Sequence, residues 1–138
     1  MPEATDPHPA LVAVTNHVRH WNAMDRESWV ALFSPEVVFE DPVGSTPKVG
    51  LTAVHNSWDK SFTPGRRWTL HPSQIVPGGS EAAVVMRNEG DLGGKKVRVD
   101  SIEVFRVDHA GLIVHVRAFF EQPTGFALSD YFTPDRRD

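Results

Sequence analysis

Three side chains that exchange protons stand where their neighbours are apolar. In the run Lys95–Val107, one alternating face reads Val97, Val99, Ser101, Glu103, Phe105 and Val107, and the other reads Lys96, Arg98, Asp100, Ile102, Val104 and Arg106. Period-2 geometry puts Glu103 on the apolar side. An ionised carboxylate there is costly, so it must find a partner or take up a proton. Asp41 repeats the pattern, sharing a strand face with Val37 and Phe39. His17 falls on the core-facing arc of a helix, between Ala10, Trp21 and Met24. Each has a plain structural reading: a core Glu paired with His or Arg or returned to solvent by a bulge, an Asp-Pro turn starter, a satisfied core histidine. Together they describe a polar floor in an apolar cavity, equipped for acid–base chemistry.

The elements that must position these groups follow from periodicity. Leu11, Val14, Val18 and Trp21 form one stripe of a helix from about Ala10 to Ala23. Asp25 caps a second short helix, roughly Arg26 to Phe33, ended by Ser34-Pro35. Val37-Val38-Phe39 is a short strand, and Asp41-Pro42-Val43-Gly44 its exit turn. Leu51, Val54, Trp58 and Phe62 suit a third helix starting near Gly50. Strands near Arg67–Ile75, Glu81–Glu89, Lys95–Val107 and Leu112–Glu121 are separated by hairpin punctuation, so the sheet is expected to be largely antiparallel. Helices followed by strands predict an α+β domain.

The chain has 138 residues, which predicts a single domain over 1–138 with peripheral tails at about 1–9 and 123–138. A net charge of −4 argues against a nucleic-acid partner. The absence of cysteine excludes thiol chemistry and Cys-based zinc sites and favours the cytoplasm. The start, with Glu3 and Asp6, lacks a signal-like pattern, and no apolar run reaches the length of a membrane span. The seven histidines show no ligand-spaced motif, so no metal site is expected.

Two segments carry a family resemblance. Trp29-Val-Ala-Leu-Phe-Ser-Pro-Glu-Val-Val-Phe-Glu-Asp-Pro-Val-Gly-Ser45, with Pro47 and Gly50, and Asp100-Ser-Ile-Glu-Val-Phe-Arg-Val-Asp108, with Gly111-Leu-Ile113, resemble the ketosteroid isomerase branch of the nuclear-transport-factor-like (SnoaL-like) superfamily. The resemblance implies a cone: a curved antiparallel or mixed sheet wrapped around three helices, with a deep apolar pocket. It also implies a homodimer. The implied reaction moves a double bond of a 3-oxo-Δ5 steroid into conjugation, an Asp carrying the proton from C4 to C6 while a Tyr hydroxyl and a protonated Asp hold the dienolate oxygen.

By that resemblance the base falls on Asp41 and the protonated acid on Glu103, here lengthened by a methylene. The tyrosine position falls on His17, and the only tyrosine, Tyr131, lies in the tail. The matching pocket positions are Phe33, Trp58, Met86, Val99, Phe105 and Phe120. The expected activity is that of a cofactor-free steroid isomerase acting on a hydrophobic, steroid-like ketone. The alternatives are a non-catalytic hydrophobe-binding or dimerisation module of the same fold, and a SnoaL-like cyclase or dehydratase in which His17 and Asp41 form a base pair.

Overall fold

The structure is a computed structural model and describes residues 8–121. The readings made for 1–7 and 122–138, Tyr131 among them, lie outside the described residues. The first helix, α1, spans Pro9–Asn22 and starts a residue earlier than the periodicity suggests, with His8 Nδ1 accepting from the Ala10 amide at 3.2 Å. Proline suits the first helical turn because its missing N–H has no partner there anyway. Past the helix end, Met24 takes a left-handed φ of 57° and turns outward, off the arc it was expected to share with His17.

Asp25 caps the second helix, α2 (Arg26–Val30), by accepting from the Ser28 amide. This helix is shorter than expected. Phe33 already belongs to the first strand, β1 (Phe33–Glu40). Its strand pairing, Phe33 with Ile113, outweighs the local helical pattern. A two-residue strand, β2 (Lys48–Val49), leads into the third helix, α3 (Gly50–Ser61). The remaining strands are β3 (Arg66–Gly78), β4 (Glu81–Leu92), β5 (Lys95–Val107) and β6 (Ile113–Phe119).

These strands form one six-stranded sheet in the order β2-β1-β6-β5-β4-β3. The pairings from β3 to β6 are antiparallel, as the hairpin punctuation predicts. The pairing of β1 with β6 is parallel, which makes the sheet mixed. Local turn signals speak only for strands adjacent in sequence, so this long-range pairing left no mark on them.

One face of the sheet holds the core. Along β5, Val97, Val99, Ser101, Phe105 and Val107 are buried, and Glu103 lies among them half-buried. The opposite face carries Lys96, Arg98, Asp100 and Arg106. Helix α1 is clipped to β3 by polar bonds as well as packing. The Trp21 indole N–H donates to the Trp68 carbonyl at 2.9 Å. The Asn22 amide donates to the Leu70 carbonyl at 2.8 Å and accepts from the Leu70 N–H at 2.9 Å. The helices meet in an aromatic cluster in which Trp21 stacks edge-on against Trp29 and Trp58 at centroid distances of 5.0 and 5.2 Å.

Candidate functional site

The helices and the inner sheet face enclose a cavity of about 860 Å³. His17 enters it from α1, Asp41 from the exit of β1, and Glu103 from β5. Phe33, Val99, Phe105 and Phe120 are also on its wall. Two expected wall residues are not: Trp58 and Met86 are buried in the core, 6% and 1% exposed. Trp58 spends its ring on other rings, lying 4.4 Å from Phe62 and 5.4 Å from Trp29. An apolar stripe marks an inward face without separating cavity wall from solid core.

His17 is held in one tautomer by its hydrogen-bond partner. The Trp29 indole N–H donates to His17 Nδ1 at 2.9 Å. Indole nitrogen only donates, so Nδ1 is bare and the neutral ring carries its proton on Nε2. Burial lowers the His17 pKa to about 4, so the ring stays uncharged at neutral pH. Nε2 has no partner among the described residues and is not sealed in the core, so its N–H is available to the cavity.

Glu103 is the converse case. Burial raises its pKa to about 7, the Ser101 hydroxyl pulls it back, and the negative charge of Asp41 pushes it up again. Ser101 Oγ donates to Glu103 Oε2 at 2.7 Å. Glu103 is thus poised to carry a proton near neutrality, and no ion pair between it and His17 forms among the described residues.

Asp41 is exposed and also lines the cavity. Desolvation there raises its pKa, and Lys48 and Lys60, on the same wall, oppose the rise. The two cations keep an ionised Asp41 tolerable beside an apolar wall.

Three polar residues at the site were missed by sequence reasoning: Trp29, which sets the His17 tautomer, and Asn88 and Ser101. The Asn88 amide lies 2.9 Å from the Val99 carbonyl and 3.0 Å from Ser101 Oγ. The signal was present in part. Ser101 shares the inward face of β5 with Glu103, and Asn88 shares that of β4 with Ala82, Val84, Met86 and Gly90.

Among the described residues, no cluster of three or more His, Asp or Glu side chains could hold a metal ion, and no helix is long and apolar enough to cross a membrane.

Comparison with known structures agrees with this architecture. The structure of RV0760c from Mycobacterium tuberculosis is 29% identical, with a TM-score of 0.75 over 85% of this chain and 94% of that one. That protein has also been solved in complex with estradiol-17beta-hemisuccinate. A Δ5-3-ketosteroid isomerase from Mycobacterium sp. is 26% identical, with a TM-score of 0.74 over 83% of this chain and 95% of that one. A computationally designed 17-OHP binder is 27% identical, with a TM-score of 0.74 over 83% of this chain and 95% of that one. Residues 14–116 match the SnoaL-like domain. The chain therefore belongs to the SnoaL-like (NTF2-like) family, with structural likeness to its ketosteroid isomerase branch.

Proposed function

We propose that the protein is a cofactor-independent isomerase that moves a double bond of a 3-oxo-Δ5 steroid, or a related polycyclic ketone, into conjugation. The observation that carries this reading is the pairing of unlike carboxyl groups in one apolar cavity: Asp41, beside two lysines, and Glu103, beside none in hydrogen-bond contact, with its pKa near 7. Burial raises both, but the two lysines oppose the rise only at Asp41 while the Asp41 charge adds to it at Glu103, an asymmetry suited to a base and an acid in one cavity.

In the proposed reaction the Asp41 carboxylate removes a proton from C4, next to the carbonyl. The electrons move into the ring system to give a dienolate. Its oxygen accepts hydrogen bonds from protonated Glu103 and from the His17 Nε2–H. The proton on Asp41 then returns at C6, and the carbonyl reforms. No net proton is gained or lost. Phe33, Val99, Phe105 and Phe120 supply the apolar wall against which a flat hydrocarbon skeleton would lie. The steroid ligands of the designed binder and of RV0760c support a cavity of suitable shape.

The reading includes the homodimer that the resemblance implies. Val85, Ile102 and Phe119 are neighbours across β4, β5 and β6, and they are 42%, 53% and 44% exposed on the outer sheet face. Such a row is an apolar strip suited to a second copy.

The test is to add protein to a 3-oxo-Δ5 steroid and follow conjugated-enone absorbance while measuring steroid binding separately. Turnover with binding supports the isomerase. Saturable binding without turnover gives the binding module instead.

A further inference from the structure

Glu103 has two carboxyl oxygens, and only a proton on the one facing the cavity can reach a dienolate. The structure contains a chain of donors that decides between them. Val99 offers a backbone carbonyl, which can only accept, so the Asn88 atom 2.9 Å from it is the amide nitrogen. That same nitrogen lies 3.0 Å from Ser101 Oγ, which therefore accepts from Asn88. Ser101 is left with one proton, and its acceptor is Glu103 Oε2 at 2.7 Å. Oε2 is thereby occupied as an acceptor. The other oxygen, Oε1, has no partner among the described residues and is not sealed in the core, so it opens to the cavity.

We propose that Asn88 and Ser101 act as positioning residues, forming a relay that fixes the acid proton of Glu103 on Oε1, the oxygen open to the cavity. The proposal rests on the reading of Glu103 as a neutral donor. Each link has a fixed direction: carbonyl from amide, hydroxyl from amide, carboxyl from hydroxyl. All three residues sit on inward strand faces, Asn88 opposite Val99 in register and Ser101 two positions before Glu103. The titratable or charged groups sharing the cavity with Glu103 are His17 from α1, Asp41 from the β1 exit, Lys48 from β2 and Lys60 from α3. None of them is hydrogen-bonded to Glu103 among the described residues; Asp41 acts on it through charge, and the hydrogen bond that distinguishes its two oxygens comes from the relay.

The discriminating variant is Asn88→Asp, which has the same shape but accepts where Asn donates. The Ser101 hydroxyl then turns to the new carboxylate and presents a lone pair to Oε2. The Glu103 proton moves to Oε2, away from the cavity. The relay predicts a fall in kcat of about 10²-fold, the size of losing one oxyanion donor. Carbon-13 NMR of the Glu103 carboxyl should show the proton still bound, to a pH at least as high as in the wild type. Ser101→Ala should raise the pH at which Glu103 titrates and lower kcat by roughly tenfold through lost orientation. Ser101→Thr, which keeps the hydroxyl, should recover both. A merely structural role would change thermal stability while leaving kcat and the Glu103 titration in place. An Asn88→Asp protein with kcat within about twofold of wild type overturns the relay.

A second readout is independent of turnover. Binding of 2-naphthol as its phenolate, followed by fluorescence, reports the donor at Oε1. If the wild-type protein converts no steroid but phenolate capture weakens in Asn88→Asp, the isomerase reading fails and the relay stands. If steroid is converted and neither capture nor kcat responds to Asn88→Asp, the relay fails and the isomerase reading stands.

Discussion

At the scale of single residues, burial pushes the two inward carboxyl groups and the inward imidazole toward their neutral forms, and the account turns on the consequences for pH. The proposed reaction needs Asp41 ionised and Glu103 protonated. Activity should therefore rise with pH through an Asp41 value above the ordinary carboxylate range and fall as Glu103 ionises near its pKa of about 7. Glu103→Gln keeps a neutral donor of similar length, so it should retain activity and lose the alkaline limb in a kcat–pH profile. The same shift has a signature in stability. Glu103 titrates higher in the folded chain than the ordinary 4.5, so its contribution is complete below that value and is lost as pH rises through about 7. His17 shows the opposite sign: its contribution is complete above the ordinary 6.5 and is lost as pH falls through about 4. Denaturant unfolding should show Glu103→Gln gaining on wild type between about pH 4 and about pH 8. Glu103 could be singled out in the sequence because the alternation of β5 is strict enough to expose one misplaced charge. The tautomer of His17 could not, because it depends on Trp29, a residue on another helix that meets it only in the folded chain.

At the scale of elements, α1 is tied to β3 beside the cavity by specific polar clips as well as by packing. Asn22→Ala removes both bonds to Leu70 and leaves the strand's N–H and carbonyl short of partners. It should cost about 1–3 kcal/mol in denaturant unfolding. Gly90 leaves room for two neighbours. A Cβ there would lie 2.9 Å from Val97 Cγ2 and 3.0 Å from the Trp68 ring, with Trp68 on the cavity wall. Gly90→Ala should cost about 1–3 kcal/mol by overpacking and should weaken steroid binding as the indole is displaced. Most of these elements could be placed from periodicity and punctuation. The α2–β1 boundary could not, since the segment around Phe33 fits a helical stripe locally and becomes strand only through β6. Trp58 and Met86 fail for a related reason: periodicity fixes the face of an element, while the depth of a cavity is set by several elements together.

At the scale of the whole molecule, an open mixed sheet curls around three helices and leaves an interior that packing does not fill. An imidazole and two carboxyl groups reach that interior from α1, the β1 exit and β5. Convergence from such separated segments explains why the two motifs with family resemblance, one around Asp41 and one around Glu103, lie far apart in sequence. The exposed row of Val85, Ile102 and Phe119 belongs to the opposite sheet face. Sedimentation should report a homodimer, and Ile102→Lys should convert it to monomer by placing a charge at the centre of the row. A wild-type monomer at working concentration contradicts that part of the account.

The central claim is that Asp41 carries the proton, and the Asp41→Asn variant tests it most directly in the conjugated-enone assay with a 3-oxo-Δ5 steroid. Asn keeps the shape and cannot accept the proton. The account predicts unchanged steroid affinity with turnover lower by about 10²–10⁴-fold, the usual contribution of a positioned base. Near-normal turnover in Asp41→Asn would contradict it and remove Asp41 from the mechanism.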